Sequence, residues 1–127
     1  MEGPWLIKRM ACRRSISSGS PVSPYRRNPR LIDYSASKGA IVSFARSLSP
    51  ALASRKICAN AVAPGPIWMP LIPATFSTEH VKNFGKHVAR TGQPEEVAPC
   101  YLFLAHDNGS CISGQVLHPN GGEVMNT

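Results

Sequence analysis

Tyr34 and Lys38 bound the stretch of this 127-residue chain best suited to chemistry, Tyr34-Ser-Ala-Ser-Lys38. Residues four apart share one helical face, so the phenol and the ammonium can point the same way. A positive charge beside a phenol favours the phenolate. A tyrosine in that setting can exchange a proton with a carbonyl or alcohol oxygen near neutral pH. The same spacing is common on solvated helix surfaces, where it does no chemistry. The surrounding elements must therefore decide between the two readings. No metal centre competes, because the histidines (His80, His87, His106, His118) and cysteines (Cys12, Cys58, Cys100, Cys111) lack metal-ligand spacing.

The pair sits at the start of a predicted helix over 33–53, roughly 30 Å long at 1.5 Å per residue. Asp33 can cap it, and Ala36, Ala40, Ile41, Phe44, Leu48 and Leu52 follow at spacings of three and four. Pro50 should end or kink its last turn. Its small residues, Gly39 and Ser43 among them, let another backbone approach closely. Ile57-Cys-Ala-Asn-Ala-Val62 then reads as a buried strand ending in Ala63-Pro-Gly-Pro66. A buried strand that directly follows a helix is an αβ unit of a parallel sheet. Ligands of such sheets sit at the carboxyl ends of the strands, so the loop beginning at Pro64 is a natural binding position.

Residues 66–92 are irregular, with Trp68, Met69, Leu71, Ile72 and Phe76 among prolines and a short helix expected near 78–88. A long apolar loop beyond a strand end suits a substrate lid better than a satellite of the core. Pro94 to about His106 forms a further helix, with Glu95 and Glu96 at its positive end. Val97, Tyr101, Leu102 and Leu104 supply its apolar face. Asp107-Asn-Gly-Ser110 is a turn, and Ser113–His118 reads as a last strand.

The net charge is +7, and residues 1–30 hold seven basic side chains against Glu2 alone. The basicity is thus concentrated at the start of the chain, where residues 1–24 form a basic leader without sustained periodicity that reads as disordered. A weak strand around Ser15–Ser18 is the one order signal in it. The leader lacks the aromatic interleaving of a nucleic-acid reader, which argues against that partner. No apolar run approaches the ~20 residues of a membrane span. Scattered cysteines read as reduced thiols of a cytoplasmic protein, or of a plastid or other organelle if the Arg- and Ser-rich leader is a transit segment.

Four motifs in register carry a resemblance: Tyr34-Ser-Ala-Ser-Lys38, Asn60-Ala-Val-Ala-Pro-Gly65, Gly92-Gln-Pro-Glu-Glu-Val-Ala98 and Ser113-Gly-Gln-Val-Leu-His-Pro-Asn-Gly-Gly122. With these, residues 25–127 resemble the C-terminal half of a short-chain dehydrogenase/reductase. The finer similarity is to the NADPH-dependent aldehyde reductases, also called glucose and ribitol dehydrogenase homologues. It rests on Asn28-Pro-Arg-Leu-Ile-Asp33, Gly65-Pro-Ile-Trp-Met-Pro-Leu-Ile-Pro73 and the ending Gln115–Gly122.

The resemblance implies an α/β fold, the C-terminal portion of a Rossmann-type doubly wound parallel sheet whose first βαβαβ half is absent. The strand at 57–62 is then expected to expose an unpaired edge. It implies Tyr34 as catalytic acid/base on an aldehyde or sugar-alcohol substrate. Lys38 would favour the phenolate and bind the ribose hydroxyls of NADP(H), with NAD(H) as the second option. Pro64, Gly65 and the Ile67 backbone would line the nicotinamide, and the helix at 33–53 would join subunits of a homo-oligomer. Two positions depart from the pattern. Pro21 stands where the family has a substrate-orienting serine, and Met69 where it has a threonine. The Gly-rich phosphate turn is missing too, so the alternative is a catalytically dead, truncated fragment that docks onto full-length relatives.

Overall fold

A three-stranded parallel sheet in the order β1-β2-β3 organises the chain, with β1 at Arg14–Gly19, β2 at Ile57–Val62 and β3 at Val116–Leu117. The computed structural model describes residues 14–19, 32–75, 77–85, 88 and 90–123. β1 pairs with β2 along its whole length, from Arg14 opposite Ile57 to Gly19 opposite Val62. β3 continues the sheet on the other side through Ala61–Val116 and Val62–Leu117. The parallel α/β arrangement is the expected one.

The strand at 57–62 is not an edge. It is the middle strand, and Cys58 to Val62 are all buried. The correction comes from residues 14–19, whose local sequence carries little strand signal. Their order is supplied by the ladder with β2 rather than by propensity. The last strand is shorter than the expected 113–118 because Gly114 takes a left-handed φ of 72°. The neighbouring backbone still follows β2, with Gly114 N–H donating to the Ala59 carbonyl at 2.7 Å and Gln115 C=O accepting from Ala61.

Helix α1 (Ile32–Leu52) begins one residue before the expected start, which puts Asp33 in the first turn, where a carboxylate favours the positive helix end. Pro50 is accommodated within its last turn. The chain then reverses through a 3₁₀ turn (Ala53–Arg55) and Lys56, which has a left-handed φ of 57°. The fully buried residues of α1 are Val42 and Ala45; of the expected row, Ile41, Leu48 and Leu52 are half-buried and Ala36, Ala40 and Phe44 are exposed. Phe44 is 61% exposed. The reason lies in β2, whose Ala59 and Ala61 leave room for a close helix rather than for a large ring.

Helix α4 (Pro94–Ala105) packs Val97 and Leu104 against Val62, with Tyr101, Ile112 and Leu117 around them. Leu102, expected on that face, is 71% exposed. Two short helices, α2 (Leu71–Thr75) and α3 (Thr78–Asn83), occupy the irregular stretch. Only the second was expected, and it ends earlier than 88. Asp107–Gly109 forms a 3₁₀ turn. Cys58 is disulfide-bonded, which corrects the expectation of four separate thiols, whereas Cys100 and Cys111 are free. Among the described residues no helix is long and apolar enough to cross a membrane.

One polar side chain ties β2 to the approach of β3. Asn60, 1% exposed, donates from Nδ2 to the Ile112 carbonyl at 2.9 Å and accepts from the Gln115 N–H at 3.1 Å. Replacing it with alanine leaves a carbonyl and an amide without these partners, at a cost of about 3 kcal/mol. Asn60→Ala is expected to lower the thermal unfolding midpoint by several degrees. An unchanged midpoint in calorimetry would remove this account of the junction.

Candidate active site at the carboxyl end of the sheet

Helix α1 leads into the amino end of β2, so its own first turn lies at the carboxyl end of the parallel strands. Tyr34 and Lys38 are therefore at the same end as the Pro64–Ile67 loop that leaves β2. The structure brings the pair together. Lys38 Nζ lies over the Tyr34 ring, 5.5 Å from its centroid, within the range of cation–π attraction. Tyr34 is 40% exposed, so its phenol is open to a ligand. Ser37 closes the local turn by donating from Oγ to the Tyr34 carbonyl at 2.8 Å.

The loop after β2 is clamped from two sides. On one side Gly65 N–H donates to the Pro119 carbonyl at 3.2 Å, and a Cβ on Gly65 would lie 2.8 Å from Asn120 Cα. That approach is too close for any side chain, so glycine is required there. Asn120, buried, folds its own turn by accepting from Gly122 N–H and donating to the Glu123 carbonyl. On the other side Gly92 N–H donates to the Pro66 carbonyl at 3.0 Å, and Trp68 N–H donates to the Gly92 carbonyl at 2.8 Å. These two bonds make Ile67 and Gly92 a parallel bridge pair. In such a bridge the flanking groups face the partner, and the N–H of the central residue points away from it. Among the described residues no acceptor takes the Ile67 N–H.

Beyond the loop, Trp68 and Phe84 form a tilted aromatic pair with centroids 6.4 Å apart. Met69 is partly exposed beside them. The position of Pro21 lies outside the described residues. A cavity of about 550 Å³ opens between the loop and Glu96, Val97, His118 and Asn120. Its lining includes Gly65 and Ile67 but not Tyr34 or Lys38, so the phenol and this cavity are separate features. Burial, and then the charge of Arg46, lower the pKa of His118 in its wall.

Sequence reasoning missed the partners of the loop. Gly92 and Asn120 act through contacts with the loop from segments remote in sequence, and the Arg90–Glu96 fork closes over six residues. The local signal was the Gln93-Pro-Glu-Glu96 run. Its Gln93 and Glu96 form a capping box, with the Glu96 carboxylate accepting from Gln93 N–H at 2.9 Å.

The chain has close relatives. The family model described as Enoyl-(Acyl carrier protein) reductase matches residues 7–123. A glucose and ribitol dehydrogenase homolog of Oryza sativa subsp. japonica is 51% identical over 94% of this chain. The chloroplastic NADPH-dependent aldehyde reductase 1 of Arabidopsis thaliana is 54% identical, again over 94%. In both cases the chain spans 43% of the relative's length. Among solved structures, a 3-oxoacyl-[acyl-carrier protein] reductase from Brucella melitensis ATCC 23457 superposes with a TM-score of 0.78 at 34% identity. It is covered over 45% of its chain, and this chain over 92%. A 7 alpha-hydroxysteroid dehydrogenase complexed with NADH and 7-oxo glycochenodeoxycholic acid gives the same score at 28% identity, covering 88% of this chain and 45% of its own.

The Arg90 guanidinium, and after it the Gln93 N–H, lower the Glu96 pKa from 4.5 to about 2. A carboxylate held down in this way contributes stability in full above about pH 4.5 and loses it as the pH falls towards 2. A carboxyl NMR titration should find the Glu96 midpoint near 2, moving upward in Arg90→Ala. A midpoint near 4.5 in the unmodified chain would show that the pair does not hold in solution.

Proposed function

The chain belongs to the short-chain dehydrogenase/reductase family, and on that premise we propose that Tyr34 and Lys38 serve NADP(H)-linked reduction of aldehydes or oxidation of alcohols. What carries the proposal is the lysine ammonium held over the tyrosine ring at the carboxyl end of a parallel sheet. The names of the relatives agree, one being an NADPH-dependent aldehyde reductase and another a sugar-alcohol dehydrogenase homolog. NAD(H) is the second option, since one structural neighbour was solved with NADH.

The loop offers what a nicotinamide needs. Pro64 and Gly65 would line the nicotinamide, and the Ile67 N–H is free to donate to a carboxamide oxygen. Lys38 would bind the ribose hydroxyls. A bound reduced nicotinamide supplies the hydride. Tyr34 would then give its phenolic proton to the carbonyl oxygen as negative charge develops there. In the oxidative direction the phenolate takes the alcohol proton. Trp68 and Phe84 are the side chains that would cover the substrate and exclude water.

Exposure along α1 supports a role as subunit contact. Phe44 and Ile32 stand out from the helix, and the space beside Gly39 is open. A charge placed there should prevent a symmetric helix pair from closing. Phe44→Asp is expected to abolish self-association in sedimentation while leaving thermal stability nearly unchanged. Undiminished association would remove α1 from the interface.

The assignment of Tyr34 is tested with NADPH and a short aldehyde. Tyr34→Phe should lower turnover by about 10²- to 10⁴-fold, the range for loss of a general acid. Retained turnover would sink the role. Absence of turnover in the unmodified chain, with co-elution alongside a longer relative in gel filtration, would favour the docking alternative.

A further inference from the structure

We infer that Arg90 and Glu96 are positioning residues for the loop Gly65–Trp68, acting through the backbone of Gly92. Three contacts converge on this reading. Arg90 reaches Glu96 as a two-pronged fork, Nη1 to Oε2 at 2.7 Å and Nη2 to Oε1 at 2.5 Å. The same Nη1 also donates to the Thr91 carbonyl at 3.2 Å. Glu96 Oε2 in turn accepts from Gln93 N–H. The ion pair therefore straps the backbone on both sides of Gly92.

Gly92 is the piece being held. Its N–H and C=O make the two bonds to Pro66 and Trp68, and a Cβ on it would come within 2.7 Å of Ile67 Cδ1. The two backbone bonds fix the register of the loop against residue 92, and the Ile67 side chain packs directly on it. The alternative is that the pair merely stabilises α4. Against it, both side chains are well exposed, at 67% and 45%, and solvated pairs of this kind contribute little to stability. A bidentate pair with two further backbone bonds restricts orientation far more than it lowers free energy. Its position between the start of α4 and the bridge directs that restriction onto the loop. The consequence is control of where the Ile67 N–H points, exerted from side chains that themselves stand in the wall of the neighbouring cavity. That the bound group is a nicotinamide rests on the function proposed above, whereas the latch stands on the contacts alone.

Amide hydrogen exchange on the full chain separates the two roles. Glu96→Gln keeps a capping side chain but breaks the charged fork, and Arg90→Lys keeps the charge but not the fork. In Glu96→Gln, exchange at Trp68 and Gly92 should quicken about tenfold, with Gly65, held by Pro119, and Leu104 in the core of α4 unchanged. Arg90→Lys should fall between. A uniform acceleration through α4 and β2, or none at Trp68 and Gly92, would overturn the latch. Reduced nicotinamide mononucleotide provides the second readout. Binding to the unmodified chain that weakens in both fork variants in step with the quickened exchange at Trp68 and Gly92 supports the latch as a determinant of that site, and weakening without that exchange change overturns it. Equal affinity in all three chains overturns its link to the site, and no binding to the unmodified chain overturns the nicotinamide reading while exchange still decides the latch.

Discussion

Burial of β2 on both faces is the constraint from which the remaining structure follows. A strand with no solvated face cannot carry charge, and Ile57–Val62 carries none. It also requires a neighbour on each edge and cover on each face. β1 and β3 satisfy the first demand; α1 and α4 satisfy the second. The alanines at 59 and 61 set how close the cover can come. Asn60 is the one polar side chain admitted, and both its amide atoms are used to hold the segment that becomes β3.

Much of this was legible in the sequence because its signals are local. The uncharged run at 57–62, the Pro94 start with Glu95 and Glu96, and the small-residue helix before them each declare an element. Orientation was less legible. Periodicity marked Ala36, Ala40 and Phe44 as part of the apolar row of α1, yet Val42 and Ala45 are the fully buried residues. A helix lying against alanines selects its slimmest face, and that preference resides in the partner. β1 is the extreme case, since a run of serines and arginine becomes a strand only because β2 offers it a ladder.

The candidate site divides in the same way. Tyr34 and Lys38 meet through the fixed geometry of one helix, so spacing alone anticipated their approach. The Pro64–Ile67 loop could be located from the strand before it but not explained by it. Its shape comes from Pro119 and Asn120 on one side and Gly92 on the other, segments more than twenty residues away. Glycine at 65 is needed for the Asn120 backbone that presses against it, and the information that shapes the loop is spread over three parts of the chain.

The double clamp also separates what can change from what cannot. Residue 65 is closed to any larger side chain by the Asn120 backbone, and the Pro66 carbonyl and Trp68 N–H are committed to their bonds with Gly92. The side chains of Trp68 and Met69 are under no such restraint and remain partly exposed. A lineage built on this frame can therefore exchange those two surfaces freely while the amide at Ile67 keeps its direction. Novelty in what is recognised and constancy in how it is oriented are assigned to adjacent residues.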